Sequence, residues 1–169
     1  MKRVCSLCLS LVLAFVLTCP ALAAVTATEH EIAAAYLKER GIMVGAEDGN
    51  MMLDSGLTRT ELAVLLARIT VKPEYLEAEQ KLYIRACRFT DVPNWAKVYV
   101  GFCSYNGLMA GYGGGVFGAG DPVTSAAGCT VVLRYLGYTE SDWDYSSACS
   151  KLVCLGLAPS EFITKQVLT

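Results

Sequence analysis

The sequence predicts an all-α protein built from tandem helix-loop-helix repeats. Two observations carry this. Apolar residues recur at helical spacing in several short runs, each closed by a glycine. One stretch of the chain resembles another at a constant offset of 66 residues. The 169 residues suffice for one domain with a real core. With 54% hydrophobic residues and a formal charge of −2, disorder is excluded, as is the basic footprint of a nucleic-acid partner.

The first element is an address. Lys2 and Arg3 precede an apolar run from Val4 to Thr18, followed by Pro20 and Ala21-Leu22-Ala23. That order is the pattern of a secretory signal peptide cut after Ala23. The run falls short of the roughly 20 unbroken apolar residues a membrane span needs. A lipidated Cys19 is the alternative, but Thr18 is bulkier than the residue such a site prefers. Cleavage would leave no transmembrane anchor and would remove Cys5, Cys8 and Cys19. The five remaining cysteines lack zinc-site spacing, and His30 is the only histidine. Cys103, Cys129, Cys149 and Cys154 lie in apolar helix-like runs, where free thiols pack as small hydrophobes. A Cys129–Cys149 or Cys103–Cys154 bridge remains open.

The first repeat spans 24–70. Ile32, Ala33, Tyr36 and Leu37 form a helical stripe, with Gly41 as C-cap. A polar loop, 46–56, leads to Thr58, whose spacing to Glu61 predicts a capping box ahead of Leu62, Val64, Leu65, Leu66 and Ile69. Residues 71–88 read as a charged linker, with room for a short helix between Glu74 and Arg85. In the second repeat, 89–140, helices are expected from Trp95 to Tyr105 and from Thr124 to Leu136. Gly107, Gly111, Gly115, Thr124 and Arg134 fall on Gly41, Gly45, Gly49, Thr58 and Arg68. Ala127 stands where Glu61 stood, leaving that cap half built. A partial third repeat, 141–169, has a first helix from Trp143 to Leu155 capped by Gly156. Its Leu152, Leu155 and Leu157 are expected to pack back on the earlier units or to cover themselves by self-association. Ile163-Thr164-Lys165 resembles the opening of a second helix.

Taken in order, Phe89-Thr90-Asp91-Val92 with Trp95-Ala96, the two glycine turns Gly41–Gly45 and Gly107–Gly111, and Leu57-Thr58-Arg59-Thr60-Glu61 running into Leu62–Arg68 resemble the S-layer homology domain family. The resemblance covers nearly all of Glu29 to Leu155. It implies a three-pronged helical domain that binds secondary cell-wall polysaccharide non-covalently, typically through a pyruvylated sugar, at the surface of a Gram-positive-type cell. It also implies that Arg59 binds the glycan carboxylate. Ser125 and Ala127 depart from the signature in the second unit, and Lys165 would have to replace its arginine in the third.

The candidate glycan contacts are therefore Arg59, Glu61, Trp95 and Asp91. Arg59 has its own chemical reason, since a guanidinium fork beside free helix N–H groups suits a carboxylate. Its alternative is a solvated arginine paired weakly with Glu61 or Asp54. Glu61 also reads as a cap alone, Trp95 as a packing residue rather than a sugar platform, and Asp91 as the cap of the helix near Pro93. Trp143 leans to packing. Gly113-x-Gly115-x-x-Gly118 has the letters of a dinucleotide fingerprint without its strand and helix, and reads as a mobile loop. No nucleophile, metal or paired-carboxylate motif is visible, so neither an enzyme nor a cofactor is expected. Possible partners are the wall polysaccharide, a second copy, or other envelope proteins. The rival to glycan binding is a degenerate repeat serving in protein–protein assembly.

Overall fold

A computed structural model describes residues 28–45 and 48–163; residues 1–23, expected from the sequence to be a signal peptide, and Thr164 and Lys165 lie outside these. The described residues form seven α-helices and no sheet, so the fold is all-α. The helices are α1 (Glu29–Glu39), α2 (Arg59–Thr70), α3 (Pro73–Ala78), α4 (Gln80–Ala86), α5 (Lys97–Tyr105), α6 (Ser125–Tyr135) and α7 (Ala148–Cys154). Short 3-10 turns cover Asn94–Ala96 and Ser160–Ile163.

Helix ends follow local chemistry. Thr58 accepts from the Glu61 backbone N–H while Glu61 accepts from that of Thr58, completing the expected box. Thr28 and Glu31 open α1 in the same way. Thr124 accepts from the Ala127 N–H without a return bond, as an alanine there requires. Both helix exits at the glycine turns have one geometry. Gly41 and Gly107 sit at φ 68° and 69°, and the N–H groups of Ile42 and Leu108 reach back to the carbonyls of Leu37 and Cys103 at 2.9 and 2.8 Å. These are the six-to-one bonds of a left-handed glycine cap.

The larger core is built from α2, α4 and α5, with Ala63, Leu66, Tyr83, Val100, Phe102, Cys103 and Phe117 among its buried members. Residues 71–88 are thus folded into the centre as α3 and α4, broken at Glu79, rather than strung between units. Tyr83 stands edge-on to Phe102 at 5.2 Å. Helices α4 and α5 cross so closely that a Cβ on Gly101 would lie 1.9 Å from the Tyr83 carbonyl oxygen. Only glycine allows that approach, which explains a poor helix former in mid-helix. A smaller core joins Cys129 and Leu133 of α6 to Trp143, Ala148, Cys149 and Leu152.

Several expected faces differ from those observed. On α1 the buried residue is Ala34, while Ile32 and Tyr36 are 60% and 53% exposed. No described element covers that stripe, and Arg40 stacks on the Tyr36 ring at 3.5 Å. The α2 helix buries its small residues Ala63 and Ala67 with Leu66, leaving Ile69 exposed. Helix α7 begins only at Ala148; Leu152 packs back on α6, but Cys154, Leu155 and Leu157 face outward. Cys154 is therefore no core hydrophobe.

Candidate functional site

Two of the four candidate residues, Arg59 and Asp91, meet at one feature, the segment 117–123, which lies between the N-terminus of α2 and the segment carrying Asp91. From the α2 side, the Arg59 N–H donates to the Asp121 carbonyl at 3.0 Å, and the Thr60 hydroxyl donates to the Ala119 carbonyl at 2.8 Å. The Val123 N–H donates to the Leu57 carbonyl at 2.8 Å, closing an isolated β-bridge at Thr58 and Pro122. From the other side, the Asp91 carboxylate accepts the N–H groups of Phe117, Gly118 and Ala119 at 2.8, 2.7 and 3.0 Å. The α2 side thus binds carbonyls of this segment and its last amide, while Asp91 binds three further amides.

Arg59 lies inside this clamp. It is 8% exposed, and its Nε donates to the Phe117 carbonyl at 2.9 Å and one Nη to the Ala110 carbonyl at 2.6 Å. The guanidinium carbon sits 4.6 Å from the Tyr112 ring centre and 4.8 Å from that of Phe117, within cation–π range. Neither Glu61 nor Asp54 bonds to it among the described residues. A guanidinium has five donors, so two go to carbonyls of the second unit. The other terminal nitrogen has no acceptor among the described residues.

Glu61 is engaged by its cap, accepting the Thr58 N–H and hydroxyl at 2.8 and 2.7 Å. Asp91 does not cap the helix near Pro93: the 3-10 turn there has Pro93 as its N-cap and no side-chain bond. Its carboxylate is drawn instead to three converging amides, an anion-binding concavity. Burial alone would raise the Asp91 pKa, but the amides of Phe117, Ala119 and Gly118 outweigh it and hold the carboxyl below its usual range. Trp95 is 62% exposed and so is not a packing residue. Trp143 is buried in the smaller core, its indole N–H without an acceptor among the described residues.

The glycine-rich segment is a pinned hairpin rather than a loose loop. The Tyr112 N–H donates to the Val116 carbonyl and the Val116 N–H to that of Gly113, while the Thr90 N–H holds the Gly115 carbonyl at 2.9 Å. Ser125, which stands where Arg59 stands in the first unit, is 2% exposed, and its hydroxyl has no partner among the described residues. It cannot offer a hydrogen bond to an external ligand. Sequence reasoning missed Thr60, Tyr112 and Phe117 as members of the site. Their signal was the glycine-flanked aromatic pair Tyr112 and Phe117, which reads as loop until its partners arrive from distant positions. Among the described residues no three His, Cys, Asp or Glu side chains group as metal ligands.

The S-layer homology domain matches residues 88–126, the stretch from just before Asp91 to the start of α6. Cell surface glycoprotein 1 of Acetivibrio thermocellus is 30% identical over 101 residues, covering 59% of this chain. The chain spans only 4% of that relative's length. No solved structure matches at a significant level. Residues 88–126 are thus similar to the S-layer homology domain, and they contain both the clamped segment and the aspartate that holds it.

Proposed function

We propose that the chain is an exported envelope module that binds an acidic secondary cell-wall polysaccharide non-covalently and so holds a protein at the cell surface. The observation that carries this reading is the Arg59 guanidinium, fixed at the seam between a helix N-terminus and the matched domain with one terminal nitrogen uncommitted among the described residues. A carboxylate meeting that edge would form a charge-assisted bond in a setting already free of most water. Exposed Trp95 and Tyr112 offer aromatic faces to apolar sugar surfaces. The name of the cell-surface relative and the N-terminal export pattern support the location. No helix of the described residues is long and apolar enough to cross a membrane.

One observation favours a second reading, an assembly element without glycan binding. Arg59 is mostly buried and already serves two internal carbonyls. Sedimentation with purified wall sacculi, before and after removal of their polysaccharide, separates the two. The first reading requires co-sedimentation that disappears with the polysaccharide. Titration calorimetry with wall fragments then tests the residue. Arg59→Lys keeps the charge but not the fork, and should weaken binding about tenfold, the equivalent of roughly 1.4 kcal/mol. Thermal melts must accompany it, because Arg59 also holds the segment. A folded Arg59→Lys that binds as wild type refutes the assignment of Arg59. Wild type that ignores the sacculi refutes glycan binding.

A further inference from the structure

The described cysteines are all reduced, but they are not alike. Cys103 lies deep in the larger core and points its thiol at the Ala63 carbonyl, 3.4 Å away. Cys87 belongs to the same core, and Cys154 is exposed at the end of α7. Cys129 on α6 and Cys149 on α7 are different: both are buried in the small core that joins these two packed helices. The smaller core has six buried members among the described residues, four of them outside α6.

We infer that Cys129 and Cys149 are a built-in disulfide site, which staples the partial third unit to the second when the chain folds in the presence of a small disulfide oxidant. The chemistry balances with glutathione disulfide. One cysteine thiolate attacks it, forming a mixed disulfide and expelling one glutathione thiolate. The second cysteine thiolate attacks the protein-side sulfur, forming the Cys129–Cys149 bond and expelling the other. Two cysteine thiols are oxidised, one glutathione disulfide is reduced, and the two expelled thiolates take up the two protons released. Burial, and then the neighbouring Cys149 thiol, raise the Cys129 pKa. The closed core is therefore slow to react, and exchange belongs to folding or to opening of α7. Once formed, the bond closes a loop of about 20 residues around the α6–α7 turn and restricts the unfolded chain.

The test is refolding of the full chain in a glutathione/glutathione disulfide buffer, then alkylation and non-reducing peptide mapping. The expected product joins the tryptic peptide ending at Arg134 to that spanning Tyr135–Lys151, with fragmentation placing the bond at Cys129 rather than Cys103. The oxidised chain should melt about 6–12 °C above the same sample treated with dithiothreitol. Cys154→Ser should still form the bond and show the same shift. A refolded chain in which Cys129 and Cys149 are both alkylated overturns the inference. So does a bond to Cys103 or Cys154 in place of this pair, or a bond whose reduction leaves the melt unchanged.

Discussion

Replacing Asp91 with alanine removes one carboxylate and strands three amides. In the folded chain those amides, on Phe117, Gly118 and Ala119, have Asp91 oxygens at 2.7–3.0 Å. A hydrogen bond to a charged group contributes roughly 1.5–3 kcal/mol when well buried. Asp91 is largely exposed, so solvent both screens its charge and can replace part of what is lost. The expected cost is therefore about 2 kcal/mol for the three bonds together rather than their full sum, or a fall in Tm of about 4–8 °C. Urea denaturation followed by circular dichroism measures it, but amide hydrogen exchange identifies its cause. Asp91→Ala should lose protection at 117–119 and leave 94–97 unchanged.

The same clamp has a pH signature. The Asp91 carboxyl titrates below its usual value in the folded chain, so its contribution is complete above the unfolded pKa, near 3.9, and disappears as pH falls through the lower folded value. Wild type should lose stability in that acidic window more steeply than Asp91→Ala. A variant within about 0.5 kcal/mol of wild type, or one that loses protection at 94–97 instead, would refute the clamp.

Other substitutions test the packing around the site. Gly101→Ala should gain about 1 kcal/mol from helix propensity, yet its Cβ would meet the Tyr83 carbonyl; net destabilisation of about 2 kcal/mol in urea melts is expected, and net stabilisation would refute the close crossing. Ser125→Ala removes a buried hydroxyl without a described partner and should leave stability unchanged or raise it by about 1 kcal/mol, with wall-glycan binding unaffected. Glu61→Ala breaks the α2 capping box and should cost about 1 kcal/mol in the same melts; Ala127→Glu should recover a similar amount by completing the cap at Thr124.

The legible part of this protein was what depends on neighbours a few residues apart. Thr58 and Glu61 are three positions apart, so their reciprocal bonds follow from the helix itself. Gly41 and Gly107 end their helices because left-handed backbone favours glycine wherever it occurs. The offset of 66, the all-α class and the domain resemblance follow from such local signals repeated in order. What escaped the sequence depends on which distant segment arrives. Asp91 has the look of a helix cap until the amides of 117–119, over 25 residues away, converge on it. Arg59 looks like a surface cation until the carbonyls of Ala110 and Phe117 enclose it. Trp95 and the Ile32–Tyr36 stripe have the composition of core yet remain exposed, because hydrophobicity drives burial only where another face is present to receive it.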